Sequence, residues 1–207
     1  MTRFLIGINV GLFVLMALAD PGALSGRTTA LHIDLGLSSG LVGGPADLVR
    51  LMTAGFIHFG LIHLGFNMYL LNQLGALLEP SLGRIRFAIV YIVSLLGGSA
   101  GALLLQPSGL HGGASGAVFG LMGFAAIGYW RQGVNPMRTP IGSLLMLNLF
   151  ITFVVPGISV GGHLGGAALG AASGFIATER SLRGQAEWLL FAVLACGAVG
   201  VAGVLTR

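Results

Sequence analysis

A single serine stands among glycines where an apolar segment of the chain begins, in the stretch HGGASGAVFG at positions 111–120. Gly113 and Gly116 leave the hydroxyl group and backbone of Ser115 accessible to a substrate. If the segment is a helix, Ser115 lies at its N-terminus, where free N–H groups and the helix dipole favour an oxyanion. A serine in a membrane helix more often bonds to its own backbone or helps helices to pack. The flanking glycines favour the other interpretation, in which Ser115 is a nucleophile.

A serine nucleophile needs a base within hydrogen-bond reach, and His58, His63 and His163 are the candidates. His163 begins an apolar segment whose later turns carry glycines at a spacing of four, and the segment of Ser115 has the same pattern. These small-residue faces consist of Gly116 and Gly120 on one segment and Gly166, Gly170 and Gly174 on the other. Such faces let two membrane helices approach closely, although either alone is usually plain packing. We predict that the two faces meet and bring His163 to Ser115.

His63 and Asn67 are four residues apart and therefore share one face of a helix. Together with the backbone N–H of Ser115, they are candidate donors to an oxyanion. Alternatively, Asn67 bonds to a neighbouring helix and His63 faces the membrane interface. No carboxylate lies in the same half of the segments, so we predict a Ser–His dyad whose histidine is oriented by packing. Phe119, one turn after Ser115, offers a ring to the imidazole of His163.

The elements that position these residues must be membrane helices. The 207 residues are 55% hydrophobic and only 8% charged, whereas soluble domains carry about 25% charged residues. Backbone groups in lipid must be satisfied internally, so continuous apolar runs predict helices. Seven such segments are present, at about 4–19, 60–78, 86–105, 115–130, 140–155, 160–178 and 186–205. We therefore predict an all-α membrane protein, a seven-helix polytopic bundle that forms one membrane domain over residues 1–207.

The arginines indicate how the bundle is oriented. All ten basic residues are arginines that lie between the segments rather than in a basic run, so the net charge of +4 does not indicate nucleic-acid binding. With the N-terminus inside, the inner side carries seven of them and the outer side three. The inner set is Arg3, Arg84, Arg86, Arg131, Arg138, Arg180 and Arg183, and the outer set is Arg27, Arg50 and Arg207. We expect a cytoplasmic N-terminus, an outer C-terminus and a site near the outer face of a plasma or inner membrane.

The sequence also supports predictions for the connection 20–59 and for Cys196. The connection 20–59 is too polar to span a membrane and too apolar for a free linker, so we predict that it lies at the interface against the bundle. Cys196 is the only cysteine, which excludes an internal disulfide and a cysteine metal site. We expect it to be a small buried hydrophobe. We predict neither a metal site nor a cofactor.

Three motifs in this order resemble the rhomboid family of intramembrane serine proteases. They are HFGLIHLGFN at 58–67, GASG at 113–116 and HLGGAALG at 163–170, and the similarity covers about residues 48–178. The resemblance implies that Ser115 is the nucleophile and His163 its base. It further implies that His63 and Asn67 stabilise the oxyanion, and that transmembrane segments of other proteins are hydrolysed within the lipid bilayer.

The resemblance also implies a six-helix core at about 1–178 with an additional C-terminal helix at about 186–205. Two positions depart from the family pattern. Val49 precedes Arg50 where the family often has tryptophan before arginine, so the first loop is expected to be held differently. Phe119 stands where tyrosine is common, which keeps the ring and removes its hydroxyl group.

We expect a substrate helix to enter sideways and unwind, because helical hydrogen bonds shield the scissile carbonyl. The fifth segment, with its short connection at 156–159, is the expected gate. Two other functions stay open. One is a proton or metal transporter lined by His58, His63 and His163. Against this function, polar residues do not continue through the segments to the inner side, which a transport path would require. The other is an inactive rhomboid-like protein that binds membrane helices without cutting them.

Overall fold

The computed structural model describes residues 1–182 and 184–206, so Arg183 and Arg207 lie outside the described residues. Within those ranges the chain forms α-helices joined by short 3-10 turns and loops. The helices are α1 (Thr2–Ala19), α2 (Ala30–Leu35), α3 (Arg50–Thr53), α4 (Leu61–Leu105), α5 (Ser115–Arg131), α6 (Pro140–Val154), α7 (Val160–Thr178) and α8 (Gln185–Leu205). The predicted all-α class is confirmed.

Helix α4 contains two of the predicted segments. Gly83 has φ 75° and ψ 165°, which interrupts the helix and divides it into a first arm, 61–82, and a second arm, 84–105. Glycine tolerates this left-handed conformation because it has no Cβ atom. By length and composition, α1, α4, α7 and α8 are each able to cross a membrane, whereas α5 has 17 residues and α6 has 15. All seven predicted segments are therefore helical, and the polytopic bundle is confirmed.

The centre of the bundle is built from glycines. A methyl group added at Gly98, on the second arm of α4, would lie 3.0 Å from Gly116 Cα and 2.9 Å from the Gly162 carbonyl oxygen. Methyl groups added at Gly166 and Gly170 of α7 would overlap the carbonyl oxygens of Gly116 and Gly120 of α5. The predicted contact between the two small-residue faces is therefore present. The second arm of α4 is a third partner that the prediction omitted; it contributes Gly97, Gly98 and Gly101.

Helices α1 and α8 are tied to α4 by polar contacts. Thr2 of α1 donates from its backbone N–H and its hydroxyl group to Glu79 of the first arm, at 2.8 and 2.6 Å. Arg86 at the start of the second arm donates to buried Glu187 of α8 at 2.9 Å. Cys196 is exposed on α8, so the expectation that it is buried was wrong. The apolar segment predicted a helix but not which face of it is covered.

The connection 20–59 packs against the bundle, as predicted. Leu37 is fully buried, and its backbone exchanges two hydrogen bonds with His111, at 3.0 and 2.7 Å. Arg50 donates to the carbonyl oxygens of Ile33 and Gly36, at 2.7 and 3.0 Å. This arginine thus holds the connection together in addition to any effect on orientation. The connection and the loop before α5 therefore support each other.

Candidate active site

Ser115 is the first residue of α5, and the turn before it is held from two sides. The backbone N–H of Gly113 donates to the Ala54 carbonyl oxygen at 2.8 Å, and that of Ala114 donates to His58 Nε2 at 3.4 Å. Gly113 has φ +124°, a backbone conformation that residues with a Cβ atom rarely adopt. Ser115 itself is half-buried. The first N–H groups of a helix have no partner within the helix, so they are available at this position.

His163 lies in the first turn of α7, where its side chain is buried. Its ring stacks on that of Phe119, with centroids 4.0 Å apart and planes 17° apart. Phe119 is one turn after Ser115, and Gly116 packs against the backbone of α7 at Gly162. The structure thus brings the start of α5 and the start of α7 together, as the glycine pattern predicted.

The Ser115 and His163 side chains are not joined by a hydrogen bond in the described residues. Contacts between a nucleophile and its base are often long without substrate and tighten in the reacting complex. Ser115 and Gly116 line a small cavity together with Ser159 and Gly162 from the start of α7. Ser115 and the start of the helix that carries His163 therefore line the same cavity.

Thr152, on α6, is a site residue that sequence reasoning missed. Its Oγ1 lies 2.7 Å from His163 Nδ1 and 2.7 Å from the carbonyl oxygen of Asn148. The sequence predicted that packing, rather than a carboxylate, orients the histidine; the structure adds a hydroxyl group that contacts the ring. The available signal was two polar residues, Asn148 and Thr152, four apart and therefore on one face of a largely apolar segment. Buried polar residues in membrane helices are usually functional or paired.

His63 lies over the glycine turn. Its Nδ1 accepts the Phe59 backbone N–H at 3.3 Å, so the ring proton of neutral His63 is on Nε2. A methyl group at Gly113 would lie 2.9 Å from that Nε2 atom. Buried Asn67 follows one turn later, and its side-chain amide donates to the His63 carbonyl oxygen at 2.9 Å. An amide group has two hydrogens, so the second one is not used in this bond. The two residues share one face of α4, as predicted.

His58 supports the turn rather than facing an opening. It is fully buried, and its carbonyl oxygen accepts a hydrogen bond from His32 Nε2 at 3.0 Å. Burial, followed by the charge of nearby His63, lowers the pKa of His58 to about 3, so its ring is neutral. Sequence reasoning also missed His32, whose ring stacks on Phe59 at 4.5 Å. The signal was its place three residues after Thr29, the capping position of α2.

The fold and this site define a class: a polytopic α-helical membrane protein with a serine at the N-terminus of one helix and a buried histidine in the first turn of the helix packed against it. The Rhomboid domain family model matches residues 45–180, which is more than half of the chain. The chain therefore belongs to the rhomboid family and is an integral multi-pass membrane protein.

Three relatives illustrate the similarity. Rhomboid protease GluP of Bacillus subtilis is 32% identical over 120 residues, 56% of this chain and 24% of that protein. Rhomboid-type serine protease 2 of Emericella nidulans is 30% identical over 137 residues, 63% of this chain and 27% of that protein. YdcA of Bacillus subtilis is 28% identical over 184 residues, 87% of this chain and 89% of that protein. The chain spans about a quarter of the first two and most of the third.

Proposed function

We propose that this protein is an intramembrane serine endopeptidase that cleaves transmembrane segments of other membrane proteins through Ser115 and His163. One observation carries the proposal: His163 is buried against Phe119, one turn after Ser115, across a glycine contact too close to accept an added methyl group. Membership of the family supports it, since two of the relatives are named as rhomboid proteases. The chemistry follows from the named atoms.

In the proposed reaction, Ser115 Oγ attacks the scissile carbonyl carbon while His163 Nε2 takes the hydroxyl proton. The oxyanion accepts hydrogen bonds from the Ser115 backbone N–H and from Nε2–H of His63, with Asn67 as a further donor. His163 then gives its proton to the leaving amine, and an acyl-enzyme remains. A water molecule, deprotonated by His163, hydrolyses the ester and restores Ser115.

We infer that the substrate helix approaches beside α6. This helix exposes large apolar side chains, among them Phe150 and Phe153, each 64% exposed. The arginine distribution supports a cytoplasmic N-terminus, an outer C-terminus and cleavage near the outer face of a plasma or inner membrane. We treat the chain as one membrane domain, in which α8 is an addition to the core that binds along α4.

The other candidate functions find less support. The described residues, 1–182 and 184–206, contain no group of three or more histidine, cysteine, aspartate or glutamate side chains arranged to hold a metal ion. His58 is enclosed by the turn that it supports, so it does not line a path. An inactive helix-binding protein would need neither a buried histidine beside Phe119 nor an accessible serine.

The test is labelling and cleavage with the purified protein. A fluorophosphonate probe should label the wild type, and Ser115→Ala should abolish both labelling and cleavage of a transmembrane test substrate. Ser143→Ala is the matched control, since Ser143 is an exposed serine of α6. Cleavage that persists in Ser115→Ala refutes the mechanism. Substrate binding without labelling or cleavage by the wild type supports the inactive binder, and flux across liposomes supports the transporter.

A further inference from the structure

We propose that Thr152 is a positioning residue: it holds His163 in the tautomer that a base requires, and it makes that tautomer depend on how α6 packs. The proposal rests on the proposed function, because it concerns the base of that reaction. It is carried by the two short contacts of one hydroxyl group.

The directions of these two hydrogen bonds follow from counting protons. A threonine hydroxyl has one proton, and the Asn148 carbonyl oxygen, 2.7 Å away, has none to give. The Thr152 proton must therefore point to Asn148, a bond to the preceding turn that threonine commonly makes in helices. The contact between Thr152 Oγ1 and His163 Nδ1, also 2.7 Å, is then a hydrogen bond only if Nδ1 carries the proton.

The consequence concerns the other ring nitrogen. A neutral imidazole has one N–H group and one lone pair, so a proton on Nδ1 leaves Nε2 free to accept the proton of Ser115. In a serine protease triad an aspartate sets the same tautomer. Here a neutral hydroxyl group from another helix does so, and Phe119 fixes the plane of the ring by stacking.

The link to α6 follows from how that helix is packed. Its buried residues are only Ile141, Gly142, Asn148 and Thr152, whereas its other large side chains are exposed or half-buried. Two of the four are polar: Thr152 contacts His163, and Asn148 accepts the Thr152 hydroxyl proton at its backbone carbonyl oxygen while its side chain donates to Leu144. When α6 moves away from α7, the Nδ1–H bond is lost and the tautomer is no longer held. The base is therefore fully prepared only while α6 is in place.

The test compares Thr152→Val, which removes the hydroxyl group at nearly constant shape, with Thr152→Ser, which keeps it. Loss of the aspartate of a triad lowers kcat by about 10⁴-fold. For a neutral partner we expect a smaller loss in Thr152→Val, about 10- to 100-fold in kcat, with KM unchanged. Thr152→Ser should recover most of the rate. Thr178→Val is the matched control, since Thr178 makes the same bond to the preceding turn, at the far end of α7.

A second measurement determines the tautomer in the wild-type protein itself. Nitrogen-15 NMR of histidine-labelled wild type should show His163 protonated at Nδ1, with the signal assigned by its loss in His163→Gln. An Nε2–H tautomer in the wild type, or wild-type kcat in Thr152→Val, overturns this proposal and leaves the protease proposal intact. Failure of the protease proposal appears instead as absent labelling of Ser115, while the NMR measurement still decides the tautomer.

Discussion

Gly166→Ala tests whether helix contact sets the distance between nucleophile and base. Gly166 is three residues after His163 on α7, and it faces Gly116, the neighbour of Ser115 on α5. An added methyl group would lie 2.7 Å from the Gly116 carbonyl carbon and 2.9 Å from its Cα atom. Carbon atoms in contact are about 3.5 Å apart at the closest favourable distance. The methyl group would also overlap the Gly116 carbonyl oxygen, so helices α5 and α7 must separate by more than about 0.8 Å at this level.

A separation of this size acts on both rate and stability. A misplacement of about 1 Å can lower a rate by about 100-fold, so we expect kcat of Gly166→Ala to fall about 10- to 100-fold. Overpacking costs about 1–3 kcal/mol, part of which is offset by the better helix propensity of alanine, about 1 kcal/mol. The unfolding midpoint should therefore fall only modestly while cleavage falls strongly.

The assay is cleavage of a transmembrane substrate and fluorophosphonate labelling of Ser115, alongside unfolding in mixed micelles. Gly197→Ala and Gly200→Ala in α8 are the controls, because a methyl group at either position meets no atom within 4 Å. Both gain the same helix propensity without any clash. Wild-type cleavage by Gly166→Ala would refute the idea that this glycine contact positions the site.

Three further perturbations have defined outcomes. Gly113→Ala should lower cleavage and labelling more than about 10-fold. The reason is that φ is +124° at this position and the added methyl group would lie 2.7 Å from His63 Cε1. Wild-type rates in this variant would contradict the prediction. Arg86→Ala leaves the buried Glu187 carboxylate without its partner and should lower the free energy of unfolding by about 1–3 kcal/mol, with unchanged cleavage per folded molecule. The pKa of His58 is about 3 when folded and about 6.5 when unfolded, so acid in this window protonates the unfolded state and favours unfolding. His58→Gln should weaken the pH dependence of the unfolding midpoint between about pH 6.5 and 3; an unchanged slope would exclude this role.

Much of the helical architecture is readable from the sequence because hydropathy is a local property. A run of apolar residues in lipid has to satisfy its own backbone, and it can do so only as a helix. The seven segments were therefore predicted with ends accurate to a few residues. The sequence did not predict that two of these segments form one helix kinked at Gly83. Their short connection is compatible both with a loop between two helices and with a kink in a single helix.

The candidate site was predictable as far as it depends on residue spacing within one helix. His63 and Asn67 share a face because they are four apart, and Ser115 begins a helix because glycines precede an apolar run. The glycine stripes of α5 and α7 predicted that close approach is possible. They did not identify the second arm of α4 as the third helix of that contact.

Only the tertiary structure decided which side chains from different helices meet. Thr152 and His163 belong to separate helices, and Arg86 and Glu187 are 101 positions apart. Whether a threonine bonds only to its own helix or also to a neighbouring histidine depends on helix rotation and crossing, which hydropathy does not encode. The sequence by itself therefore determined the helices and the nucleophile and base candidates. Packing decided that a hydroxyl group on α6 contacts the base, because that contact exists only where three helices converge.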